Sequence, residues 1–192
     1  MLTETRTFSA TPRSRAVRWV FLDRDGTLNV KPPTGDYIEH PGALELLPGA
    51  AEAVRTLNHA GLWTGVVTNQ RGVALGRMSS QDLEAVHERL ERLLRLEGAY
   101  VDAIYSCPHE VGECVCRKPD TGLLLKAQSE HPKLDFASAA IVGDSVSDVQ
   151  AGERLGLLTV MISGGEHDCE SYSADYVVPD LAQAARLLAT ER

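Results

Sequence analysis

The chain has 192 residues, of which 43% are hydrophobic and 5% aromatic, enough for one domain with an aliphatic core. Its net charge of −8 argues against a general nucleic-acid binder, which needs a basic surface. It has neither the ~18 consecutive apolar residues of a membrane span nor an N-terminal secretory signal. We expect a cytoplasmic monomer without nucleic-acid or membrane partners, in which residues 1–14 form a disordered tail and residues 15–192 a single domain.

Strand and helix patterns alternate along the chain. In chain order they predict a strand at 17–22, a helix at 48–60, a strand at 62–68, a helix at 81–97, a strand at 101–106, a helix at 121–130, a strand at 139–143, a helix at 147–155, strands at 157–162 and 176–178, and a helix at 181–189. This alternation predicts an α/β fold, a Rossmann-like doubly wound parallel sheet in three α/β/α layers. The Pro- and Gly-rich segment 30–47 is too short for a cap domain.

The first predicted strand is followed by two aspartates, Asp23 and Asp25, and then by Gly26. In open α/β sheets, ligands bind at the carboxyl ends of the strands. Alternate side chains of an extended segment point the same way, so both carboxylates can face one substrate. One carboxylate could attack a phosphorus atom while the other handles the proton of the leaving group, and the glycine allows a sharp turn.

Three further polar groups follow predicted strands or precede predicted helices. They are Thr68-Asn69-Gln70, Arg117-Lys118-Pro119, and the segment 143–148 with Asp144 and Asp148. Each alone is also typical of a turn, a helix cap or surface charge. Together at one edge of a sheet they suit phosphoryl transfer, which needs cations around the phosphate. Asp23 and Asp144 would supply oxygen ligands to Mg²⁺, and Lys118 would neutralise the remaining charge.

A second cluster consists of Cys107, His109, Cys114 and Cys116. Three thiolates and one imidazole make a full tetrahedral shell, as in structural zinc sites. The alternative is a buried thiol cluster. Because Arg117 directly follows the last cysteine, a zinc ion here would hold the loop that presents both cations. The other histidines are scattered and Cys169 is remote, so we treat these residues as spectators.

The four polar groups, in this order, resemble the motifs of the haloacid dehalogenase superfamily of phosphohydrolases. The resemblance covers about residues 17–162. It implies that Asp23 is the nucleophile and a Mg²⁺ ligand, and that Asp144 is another ligand. Asp25 would be the general acid and base, with its backbone carbonyl on the metal. A carboxylate at position 25 implies turnover by water, since the related ion-pumping ATPases carry Thr there.

The same resemblance implies that Thr68 and Lys118 hold the phosphoryl group. It also implies that Asp148 supports the residues that bind the metal and phosphate, either by direct contact with them or through water. The zinc loop resembles the capless subgroup that contains heptose-bisphosphate 7-phosphatases and histidinol-phosphate phosphatases. In that subgroup Arg117 would bind substrate, and Asn69 and Arg71 would face its non-reacting part.

The sequence therefore predicts a Mg²⁺-dependent phosphatase for a small phosphorylated metabolite, favouring a heptose bisphosphate. Histidinol phosphate is the alternative substrate, because the zinc loop is short. A different class, a non-catalytic binding module stabilised by zinc, remains as a competing hypothesis.

Overall fold

A computed structural model describes residues 16–163 and 173–190. The predicted tail at 1–14 and Cys169 lie outside these residues. The strands are β1 (Trp19–Leu22), β2 (Trp63–Asn69), β3 (Ala103–Cys107), β4 (Ala139–Gly143), β5 (Leu158–Ile162) and β6 (Tyr176–Val178). The helices are α1 (Ala50–His59), α2 (Ser80–Leu96), α3 (Gly122–Glu130), α4 (Val146–Leu155) and α5 (Leu181–Thr190).

The six strands form one parallel sheet in the order β3-β2-β1-β4-β5-β6. This order confirms the predicted doubly wound α/β fold. Several predicted element ends differ by one or two residues. For example, β1 begins at Trp19 although Val17 is buried. An apolar run indicates that its residues are buried, whereas a strand also requires backbone hydrogen bonds to its neighbours, here β2 and β4.

Alternate residues of the central strand face opposite layers of the molecule. Val20 and Leu22 belong to the core beneath α1, α2 and α5. Phe21 belongs to a second core with residues of α3 and α4. Because side chains alternate along a strand, one continuous apolar run supplies both cores. The sheet is therefore covered on both faces, and it remains accessible at the ends of its strands.

The carboxyl end of β1 is the topological switch point of the sheet. The chain moves from β1 to β2 on one side and later returns to β4 on the other side. The groups predicted at 23–25, 68–70 and 143–148 all follow strands at this edge. The segment after β1 folds back beside it, since the Val30 N–H donates to the Glu45 carbonyl at 2.9 Å. No helix in the described ranges is long and apolar enough to cross a membrane.

Candidate active site

Asp23 and Lys118 meet at the carboxyl end of β1. Asp23 continues the strand, because its backbone N–H donates to the Val142 carbonyl at 2.9 Å. Its Oδ1 lies 2.9 Å from Lys118 Nζ. The ammonium also donates to the Val67 carbonyl at 2.6 Å and to Asp148 Oδ1 at 2.5 Å. Lys118 is only 3% exposed, so the ends of two strands, β1 and β2, and the start of α4 converge on a cation that is largely excluded from water.

The electrostatics of this pair follow from its burial. Burial raises the pKa of Asp23 to about 7, Lys118 partly offsets the rise, and Asp148 adds to it. Burial by itself would lower the pKa of Lys118, but Asp148 and Asp23 raise it overall. Lys118 is therefore charged at neutral pH. A cation bound at Asp23 would favour the ionised carboxylate, the form that acts as a nucleophile.

Asp144 lies beside Asp23 at the end of β4. Oxygen atoms of Asp23, Asp144 and Asp148 come within 4.8 Å of one another. Asp144 Oδ2 pairs with Lys31 Nζ at 2.6 Å. Its Oδ1 is buried and has no hydrogen-bond partner in the described part of the chain. A buried carboxylate oxygen without a donor, next to other carboxylates, fits the oxygen ligands that Mg²⁺ takes.

Gly26 lets the turn after β1 approach Asp144. Its φ is +88°, and a Cβ at this position would lie 2.2 Å from Asp144 Oδ2. Any side chain here would therefore be strained and would also displace the carboxylate. The glycine predicted to turn the chain sharply has this second role of making room for Asp144.

Asp25 is held by hydrogen-bond donors from three residues. Arg24 Nη2 is 2.9 Å from Asp25 Oδ2, and Arg24 Nε donates to Oδ1 at 3.2 Å. Asn29 donates to Oδ1 at 2.9 Å, and Gln70 donates to Oδ2 at 2.9 Å. The carboxylate is thus fixed at the rim of the site, with 20% of its side chain exposed.

Asp148 joins the start of α4 to Lys118. Its Oδ2 accepts hydrogen bonds from the Ser145 backbone N–H at 3.2 Å and from the Ser145 hydroxyl at 2.6 Å. Its Oδ1 receives the Lys118 ammonium. A Cβ at Gly143 would lie 2.2 Å from Asp148 Oδ2, so the end of β4 must be glycine. Asp148 is 1% exposed and acts as the anchor of Lys118.

Thr68 and Asn69 end β2 but face different partners. Thr68 is 1% exposed, and its hydroxyl accepts a hydrogen bond from Gln70 Nε2 at 2.8 Å. Both ends of the Asn69 amide bind the main chain of Lys118, at 3.0 Å each. The Asn69 amide thereby fixes the loop that carries Lys118, and its contact with a substrate stays a prediction.

The two predicted substrate arginines lie at the outer rim. Arg71 Nε is 2.6 Å from Glu110 Oε1. The pKa of Glu110 is lowered first by the Val111 N–H, then by Arg71, with a smaller contribution from Arg117. Arg117 Nη1 is buried without a hydrogen-bond partner among the described residues. Two guanidinium groups near one carboxylate leave a net positive rim, which suits an anionic substrate.

The predicted zinc ligands come together at the end of β3. The Sγ atoms of Cys107, Cys114 and Cys116 lie 3.1–3.5 Å apart. His109 Nδ1 is 3.2 Å from Cys116 Sγ. Zn–S bonds of about 2.3 Å put ligands of a tetrahedral site about 3.8 Å apart, close to this spacing. The four side chains therefore fit a structural zinc ion, and the described cysteines form no disulfide.

Four residues at the site were not identified from the sequence. Arg24 and Gln70 are buried and hold Asp25, His87 lies 3.2 Å from Arg24, and Lys31 pairs with Asp144. Arg24 and Gln70 lie inside two of the motifs, and these positions could have indicated a role at the site. His87 and Lys31 gave none, because only the folded chain brings α2 and the segment after β1 to this edge.

The arrangement can bind a dianion and a divalent cation around a buried carboxylate, which is what phosphoryl transfer requires. Comparisons with known proteins agree with this chemistry. The family model described as HAD-hydrolase-like matches residues 115–184. The chain is similar to a D-glycero-alpha-D-manno-heptose-1,7-bisphosphate 7-phosphatase of Mycobacterium tuberculosis, with 40% identity over 71% of this chain and 72% of the relative.

A D-glycero-beta-D-manno-heptose-1,7-bisphosphate 7-phosphatase of Mesorhizobium japonicum is 38% identical over 88% of this chain and 80% of the relative. Among solved structures, the D,D-heptose 1,7-bisphosphate phosphatase from B. bronchiseptica, complexed with magnesium and phosphate, has a TM-score of 0.79. It is 30% identical, and the match covers 92% of this chain and all of that one. Relatives that match most of the chain's length thus share its fold and 30–40% of the aligned residues.

Proposed function

This chain belongs to the heptose-1,7-bisphosphate 7-phosphatases of the HAD-like hydrolase family, and we propose that it hydrolyses the 7-phosphate ester through an aspartyl-phosphate on Asp23. The observation that carries this mechanism is the ion pair between Asp23 and the buried Lys118. A carboxylate that faces a fixed cation in a dry site can approach a phosphate dianion despite their like charges.

The proposed cycle has two steps. Asp23 attacks phosphorus as the ester bond breaks, and Asp25 gives its proton to the departing alkoxide oxygen. Asp25 then takes a proton from water, the resulting hydroxide attacks the aspartyl-phosphate, and inorganic phosphate leaves with Asp23 regenerated. Thr68 and Lys118 hold the oxygens of the phosphoryl group throughout. Asp148 keeps Lys118 in place.

The proposed metal ligands are the carboxylates of Asp23 and Asp144 with the backbone carbonyl of Asp25. A bound Mg²⁺ supplies positive charge to the phosphoryl oxygens. The uncoordinated buried oxygen of Asp144 supports this assignment. The proposed structural Zn²⁺ is held by the cluster Cys107, His109, Cys114 and Cys116. Thiolate ligands suit the reducing cytoplasm, where we place the enzyme as a monomer.

The proposed substrate recognition is divided between two ends of one small molecule. The reacting phosphate enters the pocket of Lys118, while Arg71 and Arg117 face the remaining anionic part. Heptose bisphosphate carries a second phosphate for this rim, whereas histidinol phosphate carries a cationic amine. The positive rim therefore favours the heptose bisphosphate. The named relatives include enzymes for both anomers, so the anomer is decided by kinetics.

The deciding experiment measures phosphate release from both heptose bisphosphate anomers and from histidinol phosphate. We expect kcat/KM to be highest for one of the heptose bisphosphates, turnover to stop with EDTA, and added Mg²⁺ to restore it. Higher kcat/KM for histidinol phosphate would reassign the substrate. No phosphate release from any substrate, with Mg²⁺ and a full equivalent of zinc present, would favour the non-catalytic binding module.

A further inference from the structure

A buried network behind the nucleophile has no part in the cycle described above. Arg24 stands between the two catalytic aspartates in sequence, yet its side chain turns inward and is 0% exposed. Gln70 follows Thr68-Asn69 and is 1% exposed. Buried polar side chains are stable only when their hydrogen bonds are satisfied, so each partner of this pair has a defined role.

The Arg24 guanidinium determines the orientation of the Gln70 amide. A guanidinium has only donors, and Arg24 Nη2 donates to Gln70 Oε1 at 3.0 Å. The amide nitrogen of Gln70 must then point the other way. It donates to Asp25 Oδ2 at 2.9 Å and to Thr68 Oγ1 at 2.8 Å. A reversed amide would place donor against donor at Arg24 and oxygen against carboxylate at Asp25.

This orientation has a consequence for Thr68. A hydroxyl carries one hydrogen and accepts through its lone pairs. Because Thr68 Oγ1 accepts from Gln70, its own hydrogen remains available to a different acceptor. In the proposed function that acceptor is an oxygen of the phosphoryl group. A hydroxyl that already accepts one hydrogen bond is also a better donor in the next one.

The other side of Arg24 is held by α2. Arg24 Nη1 lies 3.2 Å from His87 Nε2. Burial, followed by the nearby Arg24, lowers the pKa of His87 to about 4. A neutral imidazole can accept from the guanidinium, whereas an imidazolium would repel it. Arg24 is thereby directed toward Asp25 and Gln70 at neutral pH.

We propose that Gln70, oriented by Arg24, is a positioning residue that makes the Thr68 hydroxyl a donor to the phosphoryl group and fixes the carboxylate of Asp25. The inference rests on the proposed function, because it assigns the phosphoryl group as the acceptor. One amide thus couples the residue that binds the phosphate to the residue that moves the proton.

The test uses two variants of the full-length protein. Gln70→Met removes both donors without adding charge, and Gln70→Glu removes both but keeps an acceptor for Arg24. We expect each folded variant to show kcat lower by about 10- to 100-fold, the usual cost of losing a residue that orients a functional group. The Kd of inorganic phosphate, measured calorimetrically with Mg²⁺, should rise. Gln128→Met is the matched control, since its amide donates at 3.3 Å to the Leu134 carbonyl, outside this network.

A variant that lacks the Thr68 hydroxyl distinguishes a positioning role of Gln70 from a packing role. Thr68→Val removes the hydroxyl, so adding Gln70→Met to it should weaken phosphate binding no further. An additive loss of phosphate affinity, or a folded Gln70→Met with wild-type kcat and Kd, would overturn the proposal. So would failure of both Gln70 variants to fold, which would make the residue structural. Absence of turnover and phosphate binding in the wild-type protein would instead refute the proposed function, and this inference with it.

Discussion

Lys118 lies between two carboxylates in a place that is almost closed to water. Its side chain is 2% exposed, and the side chains of its partners Asp23 and Asp148 are 13% and 1% exposed. Removing one member of a buried ion pair leaves the other charge uncompensated, which costs more than the pair itself contributes. In the proposed mechanism, catalysis and stability therefore depend on the same ammonium group.

We predict that Lys118→Met abolishes phosphatase activity and lowers the free energy of unfolding by about 3 kcal/mol, within the range for broken buried pairs. Urea denaturation followed by circular dichroism measures the second effect. Lys126→Met is the matched control, because the Lys126 side chain is 62% exposed and lies 3.9 Å from Glu130. It should change stability by less than about 0.5 kcal/mol. Equal effects at both positions would contradict the argument.

Asp23→Asn is the corresponding test of the nucleophile. Asparagine keeps the size of the side chain but does not form an acyl phosphate, so turnover should fall below detection. Because Asp148 still pairs with Lys118 and burial already disfavours the Asp23 charge, we expect folding to be retained. Mass spectrometry after rapid quenching should find a phosphorylated species in the wild-type protein and none in the variant. Residual turnover of more than a few per cent would exclude Asp23 as the nucleophile.

At the scale of elements, the loop between β3 and α3 has little apolar content of its own to hold it. Val111 and Val115 are exposed, while the cysteine and histidine side chains meet at its base. The loop is joined to the end of β2 through Asn69, which binds the Lys118 main chain. In the proposed function, a metal ion bound by the cysteine and histidine side chains would therefore help to position Lys118.

We predict one equivalent of zinc in the purified protein and its loss in Cys116→Ser. The variant should keep its sheet but show kcat lower by at least about tenfold, since residues that orient catalytic groups cost this much. Metal analysis and steady-state kinetics measure the two effects. Cys169→Ser, outside the cluster in sequence, is the control and should keep both zinc and activity. Wild-type activity in zinc-free Cys116→Ser would show that catalysis does not require the zinc-stabilised loop.

At the scale of the whole molecule, the ionisation of His87 makes the free energy of unfolding depend on pH. Its pKa is about 4 in the folded protein, below the ordinary value of 6.5. Between these values the unfolded chain binds the extra proton, so the free energy of unfolding falls as pH falls. The contribution is fully present above about pH 6.5 and is lost as pH approaches 4.

His87→Gln keeps an acceptor for Arg24 but does not titrate, so its unfolding free energy should fall less steeply between pH 6.5 and 4. Because His87 is only partly buried, we expect the difference to reach about 1–2 kcal/mol, less than the full shift implies. Parallel urea titrations at several pH values measure it, and acid effects common to both proteins cancel. Parallel curves for the two proteins would show that His87 contributes nothing.

Most of the fold was predictable because its strands are buried on both faces. Residues 19–22, directly before Asp23, are apolar at every position, and the helices carry clear periodicity and caps. Ser79 caps α2, because its hydroxyl accepts a hydrogen bond from the Asp82 backbone N–H at 3.1 Å. Strand ends were less accurate, since Val17 and Val101 are apolar but lie outside the ladder of hydrogen bonds.

The sequence by itself determined the fold class, the motif carboxylates and the grouping of the three cysteines with His109, because these depend on local patterns and short spacings. Only the tertiary structure decided which charges are buried together. It brought Lys118 between Asp23 and Asp148, set Lys31 against Asp144, and turned Arg24 inward to Gln70 and His87. These contacts join residues far apart in the chain, and burial, which sets their strength, is a property of the folded molecule.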